Sequence, residues 1–158
     1  MPSRVRRHLR RHVKVPIPGA VPLYGDNEIL RSGVNKHGVE FETMSLRGLM
    51  ARYGKGPARR RLLNNLVEHL AQYRDDGVRV KEFAVYGSFV SDKPDPGDID
   101  VAIWREPMTE VSDRIWSHEV GKREHGVDSF SVVSRRHYAN WLAHPRERGH
   151  KRVVRLKG

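Results

Sequence analysis

The feature that most constrains the fold is the segment FAVYGSFVSDKPDPGDIDVAIW at residues 83–104, in which two apolar runs flank a polar loop. The first run ends at Gly87 and Ser88, and the second begins with Asp98 and Asp100. Because Pro, Gly, Asp and Ser in the loop favour turns, the pattern predicts two strands whose adjoining ends carry these four residues. Side chains alternate along a strand, so both aspartates are expected on one face.

Two carboxylates on one strand face repel each other. At about 4 Å and an effective dielectric of about 20, two like charges repel by roughly 4 kcal/mol. A divalent cation removes this cost, and oxygen ligands without Cys or His suit Mg²⁺ or Mn²⁺ better than zinc. Upstream, Gly87 has no Cβ and Ser88 carries a hydroxyl, so this turn can approach a phosphate closely. The residues therefore predict a metal and phosphate site.

This arrangement resembles the signature of the polymerase-beta-like nucleotidyltransferase superfamily in its minimal, single-domain form. The matching features are an apolar residue before Gly-Ser, a gap of nine residues, and Asp-apolar-Asp-apolar. More of the chain resembles an uncharacterised bacterial and phage branch of that superfamily. The segments concerned are RYGKGPARRRLL at 52–63, GSFVSDKPDPGDIDV at 87–101, and a basic carboxy-terminal stretch that ends near Val154.

The resemblance implies an enzyme that transfers a nucleoside monophosphate from an NTP to an acceptor hydroxyl and releases pyrophosphate. It also implies that Asp98 and Asp100 hold two metal ions, and that Gly87 and Ser88 bind the β- and γ-phosphates. A third carboxylate is expected on a later strand, where it would bind the catalytic metal and help to remove the acceptor proton.

Asp128 is the best candidate for the third carboxylate. It is the single acidic residue in GVDSFSVVS, the next β-like run at residues 126–134. Glu124 is the alternative, although it precedes the glycine that opens this run.

Three consecutive arginines, Arg59 to Arg61, require an explanation because they lie in the first turn of a predicted helix, where cations oppose the helix dipole. Contact with a phosphate explains them, and so does a solvated face paired with nearby acids. On the first interpretation, Arg60 and Lys93 are the candidate nucleotide-binding residues outside the Gly-Ser turn. The nine histidines show no metal-ligand spacing with an adjacent acid, which argues against zinc.

Caps and apolar periodicity predict the remaining elements. Helices are expected at residues 45–53, 57–76, 109–120 and 135–143, with a final strand at 152–156. Residues 15–44 are rich in Pro and Gly and are expected to form an irregular wrap. The order of elements predicts an α/β (α+β) fold, a small mixed β-sheet with helices packed on one face.

The length predicts one domain at residues 15–158, with a catalytic body at 45–133. The net charge of +11 is concentrated at the ends, with +6 in residues 1–14 and +7 in residues 134–158, which leaves −2 between them. Such a basic amino-terminal arm and carboxy-terminal segment contact nucleic acid or stay solvated. No apolar run approaches the roughly 18 residues of a membrane span, so a cytoplasmic protein with no membrane partner is expected.

Three interpretations of the function, which differ in the acceptor or in whether there is one, stay open. The first is RNA, such as tRNA, modified in a toxin-like or phage-defence setting, which the basic ends favour. The second is a protein partner that becomes nucleotidylated, as with some minimal antitoxin relatives. The third is a catalytically idle module that binds nucleic acid or a partner.

Overall fold

The computed structural model describes residues 30–107, 125–145 and 149–157. Three helices are present in these ranges: α1 (Leu46–Tyr53), α2 (Pro57–Asp75) and α3 (Arg135–Ala143). The strands are β1 (Gly33–Val34), β2 (Glu40–Thr43), β3 (Val80–Tyr86), β4 (Ile99–Arg105), β5 (Val127–Val132) and β6 (Arg152–Lys157). A 3₁₀ turn, Gly87–Val90, follows β3. The basic amino-terminal arm and the helix expected at residues 109–120 lie outside the described residues.

The strands form one mixed sheet in the order β1-β2-β6-β3-β4-β5. The central strand β3 pairs antiparallel with both β4 and β6. The pairs β2–β6 and β4–β5 are parallel. The predicted fold class, an α+β arrangement around a small mixed sheet, is therefore confirmed.

The helices cover both faces of the sheet, so the prediction that they pack on one face is wrong. Phe83 and Val85 of β3 share a buried cluster with α1 and α2. Ala84 and Tyr86, which point the other way, pack in a second cluster with α3. Because the run 83–86 is apolar at every position, each face of β3 must be covered.

Part of the segment expected to form an irregular wrap belongs to the sheet instead. Within residues 15–44 the structure describes 30–44, which contain β1 and β2. Phe41 of β2 is buried and lies opposite Val153 of β6. A four-residue strand with one buried side chain shows too little alternation to be recognised locally, and β6, the longer of its two partner strands, is more than a hundred residues away in the sequence.

The ends of the predicted helices follow local signals. The Ser45 hydroxyl accepts a hydrogen bond from the Gly48 amide at 3.0 Å and caps α1. Pro57 occupies the first turn of α2, and Gly77 follows that helix with a φ of 74°. Of the helices in the described ranges, none combines the length and the apolar composition that crossing a bilayer requires.

The buried His69 of α2 makes stability depend on pH. Burial, and secondarily the charge of His125, lower the pKa of His69 from 6.5 to about 4. Because the unfolded chain binds the proton more tightly, we expect the free energy of unfolding to fall as the pH drops from 6.5 to about 4, by about 3 kcal/mol in total. Urea unfolding across this pH range measures the effect. His69→Leu should lose it, and His137→Leu, at an exposed position on α3, should keep it. Equal pH slopes in all three proteins would contradict the assignment.

Candidate metal centre

Three carboxylates meet where β4 and β5 begin. Asp98, Asp100 and Asp128 each offer one carboxylate oxygen, and these atoms all lie within 4.8 Å of one another. All three side chains are partly buried. Within residues 30–107, 125–145 and 149–157, no other group of three His, Cys, Asp or Glu side chains has this arrangement. The prediction that Asp128 adjoins the Asp98–Asp100 pair is confirmed, whereas Glu124 lies outside the described residues.

The parallel register of β4 and β5 produces this meeting. Asp100 pairs directly with Asp128 in the sheet. At the start of the two strands, the Ile99 amide donates a hydrogen bond to the carbonyl of Gly126, the residue before β5, at 2.8 Å, which is consistent with that register. Both aspartates alternate with residues of the other face, so they share the sheet face that α3 covers.

Gly87 brings the backbone of the Gly-Ser turn against this group. Its φ is 75°, which favours glycine, and a Cβ built at this position would overlap Oδ2 of Asp100. Ser88 follows, half-buried, and its carbonyl accepts hydrogen bonds from the amide and the hydroxyl of Ser91. The turn predicted to bind phosphate therefore adjoins the three carboxylates.

Arg59 holds the loop that follows this turn. Its guanidinium donates hydrogen bonds to four backbone carbonyls: those of Tyr53, Phe89, Ser91 and Lys93. The residue is only 7% exposed. Arg59 is thus neither a phosphate ligand nor part of a solvated face, which were the two interpretations of the arginine run. The unfavourable position of a cation in the first turn of a helix was the signal that pointed to it.

The other two candidate nucleotide-binding residues lie in different surroundings. Arg60 is exposed on α2. Lys93 is also exposed, and it lines a cleft together with Arg59 and Arg152 rather than with the three carboxylates. The structure therefore brings together Gly87, Ser88 and the aspartates, and it does not place these two cations among them.

The donor set suits a hard cation. Its three ligands are carboxylate oxygens, which is the chemistry of Mg²⁺ or Mn²⁺ sites. Two like charges at the 4.8 Å limit that bounds these oxygens repel by about 3 kcal/mol at an effective dielectric of about 20. A divalent cation held by Asp98, Asp100 and Asp128 would turn this repulsion into attraction.

Replacement of Gly87 by alanine tests whether the turn and the carboxylates are coupled. Gly77→Ala is a matched control, since Gly77 has a φ of 74° and nothing within 4 Å of an added Cβ. Both variants are strained by the left-handed backbone, but Gly87→Ala must also displace Asp100, at a further cost of about 1–3 kcal/mol. We expect the larger loss of stability in urea unfolding, together with a weaker Mn²⁺-induced rise in melting temperature, for Gly87→Ala alone. Equal stability losses with equal responses to Mn²⁺ would disprove the coupling.

No curated protein and no solved structure matches this chain. The model of one protein family matches residues 26–157, and the description of that family is "Family of unknown function (DUF6932)". The matched region contains all three aspartates, the Gly-Ser turn and Arg59. Since the match spans well over half of the 158 residues, the chain belongs to the DUF6932 family.

Proposed function

We propose that this protein is a metal-dependent nucleotidyltransferase, which moves a nucleoside monophosphate from an NTP to an acceptor hydroxyl. The observation that carries the proposal is the convergence of Asp98, Asp100 and Asp128 within 4.8 Å, directly against the Gly87 turn. An oxygen-only metal site beside a glycine turn is the arrangement that a triphosphate and its cations require. The resemblance of the Gly-Ser and Asp-Ile-Asp spacing to the nucleotidyltransferase signature supports the same conclusion.

In the reaction, the acceptor oxygen forms a bond to the α-phosphorus as the bond from that phosphorus to the pyrophosphate oxygen breaks. The acceptor hydroxyl gives up its proton, for which the Asp128 carboxylate is the nearby base. Cations held by the three aspartates would neutralise the triphosphate charge and acidify the hydroxyl. The backbone of Gly87 and the hydroxyl of Ser88 would bind the departing phosphates. Catalysis would rest mainly on positioning and charge neutralisation.

A pair of aromatic side chains supports a nucleotide as the ligand. Phe130 lies two residues after Asp128 in β5, on the same face of the sheet. Its ring stacks on that of Trp141, with centroids 3.9 Å apart and planes inclined by 8°. Both side chains are only partly buried. Such a surface beside a phosphate site suits the base of a nucleotide, since every base has a face that can stack.

Label transfer tests the proposal. The purified protein is incubated with each radiolabelled NTP and Mg²⁺ or Mn²⁺, with total RNA in one reaction and protein lysate in another. We expect label on one acceptor class, dependent on the divalent cation and lost in EDTA. Label on protein rather than RNA would identify the alternative acceptor. Absence of label in every reaction, together with a melting temperature that neither cation nor NTP raises, would refute the proposed function.

A further inference from the structure

A basic cleft is lined by residues 91–94 of the loop that follows the Gly-Ser turn, together with side chains from the α1–α2 region and β6. Its volume is about 390 Å³, and five of its lining residues are cations: Arg52, Lys55, Arg59, Lys93 and Arg152. They come from the end of α1, the connection between α1 and α2, the first turn of α2, the loop before β4 and the start of β6. Four of the five cations belong to residues 15–133, which are nearly neutral overall, and Arg152 belongs to the basic carboxy-terminal segment, so together they form a concentrated positive surface.

The acids around the cleft do not cancel this charge. Asp92 is the acidic residue in the lining. Outside it, Glu42 pairs with Arg52 at 2.7 Å, and Glu40 pairs with Arg152 at 3.8 Å. An excess of two positive charges remains after all three acids are set against the five cations.

Once the two ion pairs are set aside, three cations and Asp92 remain, which gives the excess of two positive charges. Lys55 and Lys93 are exposed, and neither forms an ion pair with a described residue. Arg59 is buried, with its guanidinium hydrogen-bonded to four carbonyl groups and lying over the Phe89 ring. The two lysines are therefore available to an anion from solution.

The cleft and the carboxylates lie at the same end of the central strands of the sheet. Arg152 begins β6, which is separated from β4 by β3 alone. At a spacing of about 4.8 Å between strands, the start of β6 lies about 10 Å from Asp100. The loop between them connects the two sites directly, because Gly87 contacts Asp100 and Lys93 lines the cleft.

We propose that this cleft binds the phosphodiester backbone of a nucleic acid strand and so leads that strand towards the carboxylates. Cations spread along a cleft, of which Arg52, Lys55 and Lys93 are exposed, suit a polymer of regularly spaced phosphates better than one compact anion. On the proposed function, the triphosphate of an NTP would bind at the Gly-Ser turn instead. The binding of the strand is independent of the proposed function. The further claim that the bound strand is the acceptor rests on the proposed function.

Binding in EDTA, where no transfer can occur, tests the cleft itself. The affinity of the full chain for a short fluorescent single-stranded RNA is measured by anisotropy over a range of salt concentrations. Lys55→Gln/Lys93→Gln should lower the slope of log affinity against log salt by about 1.4, that is, by about 0.7 for each lost phosphate contact. At about 0.1 M salt this corresponds to an affinity on the order of 25-fold weaker.

The matched control removes the same charge elsewhere. Lys81 and Lys157 are exposed lysines at the opposite ends of β3 and β6 from the cleft. Lys81→Gln/Lys157→Gln should bind RNA as the wild type does. Equal weakening of RNA binding in both double variants would overturn the proposal, since net charge alone would then explain binding. Polyglutamate that binds with the same dependence on Lys55 and Lys93 would overturn it in favour of an acidic protein.

A duplex DNA probe and a transfer assay complete the test. Weaker binding of duplex DNA than of RNA would support a single strand as the ligand, whereas equal dependence of both on Lys55 and Lys93 would support backbone recognition of either. If RNA binds through the cleft and no label is transferred to it, the proposal that the cleft binds RNA is supported and the proposal that RNA is the acceptor is refuted. The failure of either claim is thus visible separately.

Discussion

Replacing both Asp98 and Asp100 with asparagine is expected to abolish nucleotide transfer and to stabilise the protein in EDTA. The two carboxylates offer oxygens within 4.8 Å of each other, where like charges repel by about 3 kcal/mol at an effective dielectric of about 20, and partial exposure reduces the gain from removing that repulsion to about 1–2 kcal/mol. In a chain of this size, this corresponds to a rise in melting temperature of roughly 2–8 °C. Thermal unfolding in EDTA and in Mg²⁺ or Mn²⁺ measures it. The metal should raise the melting temperature of the wild type and leave that of the variant unchanged.

Asp95→Asn provides the control, because Asp95 is an exposed acid in the loop just before β4. This variant should transfer label, respond to metal and melt as the wild type does. Transfer activity in the Asp98→Asn/Asp100→Asn protein would show that these aspartates are not needed for the reaction. If neither cation changed the melting temperature of the wild type, the proposal of a metal site would be refuted.

Truncating Arg59 is expected to cost about 3–5 kcal/mol of stability and to disable the site at the same time. Arg59→Met keeps much of the apolar stem but leaves four carbonyls without their donor, two of them belonging to the buried Tyr53 and Phe89. The loop that it anchors carries Ser88 at one end and Lys93 at the other. Urea unfolding followed by circular dichroism measures the loss of stability.

The neighbouring Arg60 is a matched control for Arg59. It has the same chemistry one position along α2, but its side chain is exposed, so Arg60→Met should change stability by no more than about 0.5 kcal/mol. Arg59→Lys should not restore the wild type, since an ammonium group lacks the planar fork that reaches several carbonyls at once. Wild-type stability in Arg59→Met, or equal losses in Arg59→Met and Arg60→Met, would show that the carbonyl contacts are dispensable.

The geometry of the three-aspartate site could be predicted where it depended on local chain periodicity. Asp98 and Asp100 are two residues apart at the start of a strand, so alternation alone places them on one face. Asp128 is about thirty residues further on, and its position was inferred from a resemblance and from the one acid in a β-like run. The structure supplies what periodicity could not, namely the parallel register that sets Asp128 opposite Asp100.

Features that depend on distant contacts could not be read from the sequence. The anchoring role of Arg59 depends on carbonyls up to 34 residues away, which leave no trace in the pattern around it. The same holds for β2, whose strand character comes from its pairing with β6. The coverage of both sheet faces, in contrast, could have been predicted from the apolar run 83–86 of β3, because an exposed face would have required alternating polar residues.

The position of β5 at the end of the described sheet would link folding to the binding of a cation at the three aspartates. Among the described strands, β5 hydrogen-bonds to β4 alone, and edge strands are among the first parts of a sheet to open. A cation held by Asp100 on β4 and Asp128 on β5 would bind only while the two strands are joined, so each opening would require its release. Amide hydrogen exchange in β5 would then slow as the metal concentration rises. In a chain without cysteine, the ion would act as a reversible cross-link in place of a disulfide.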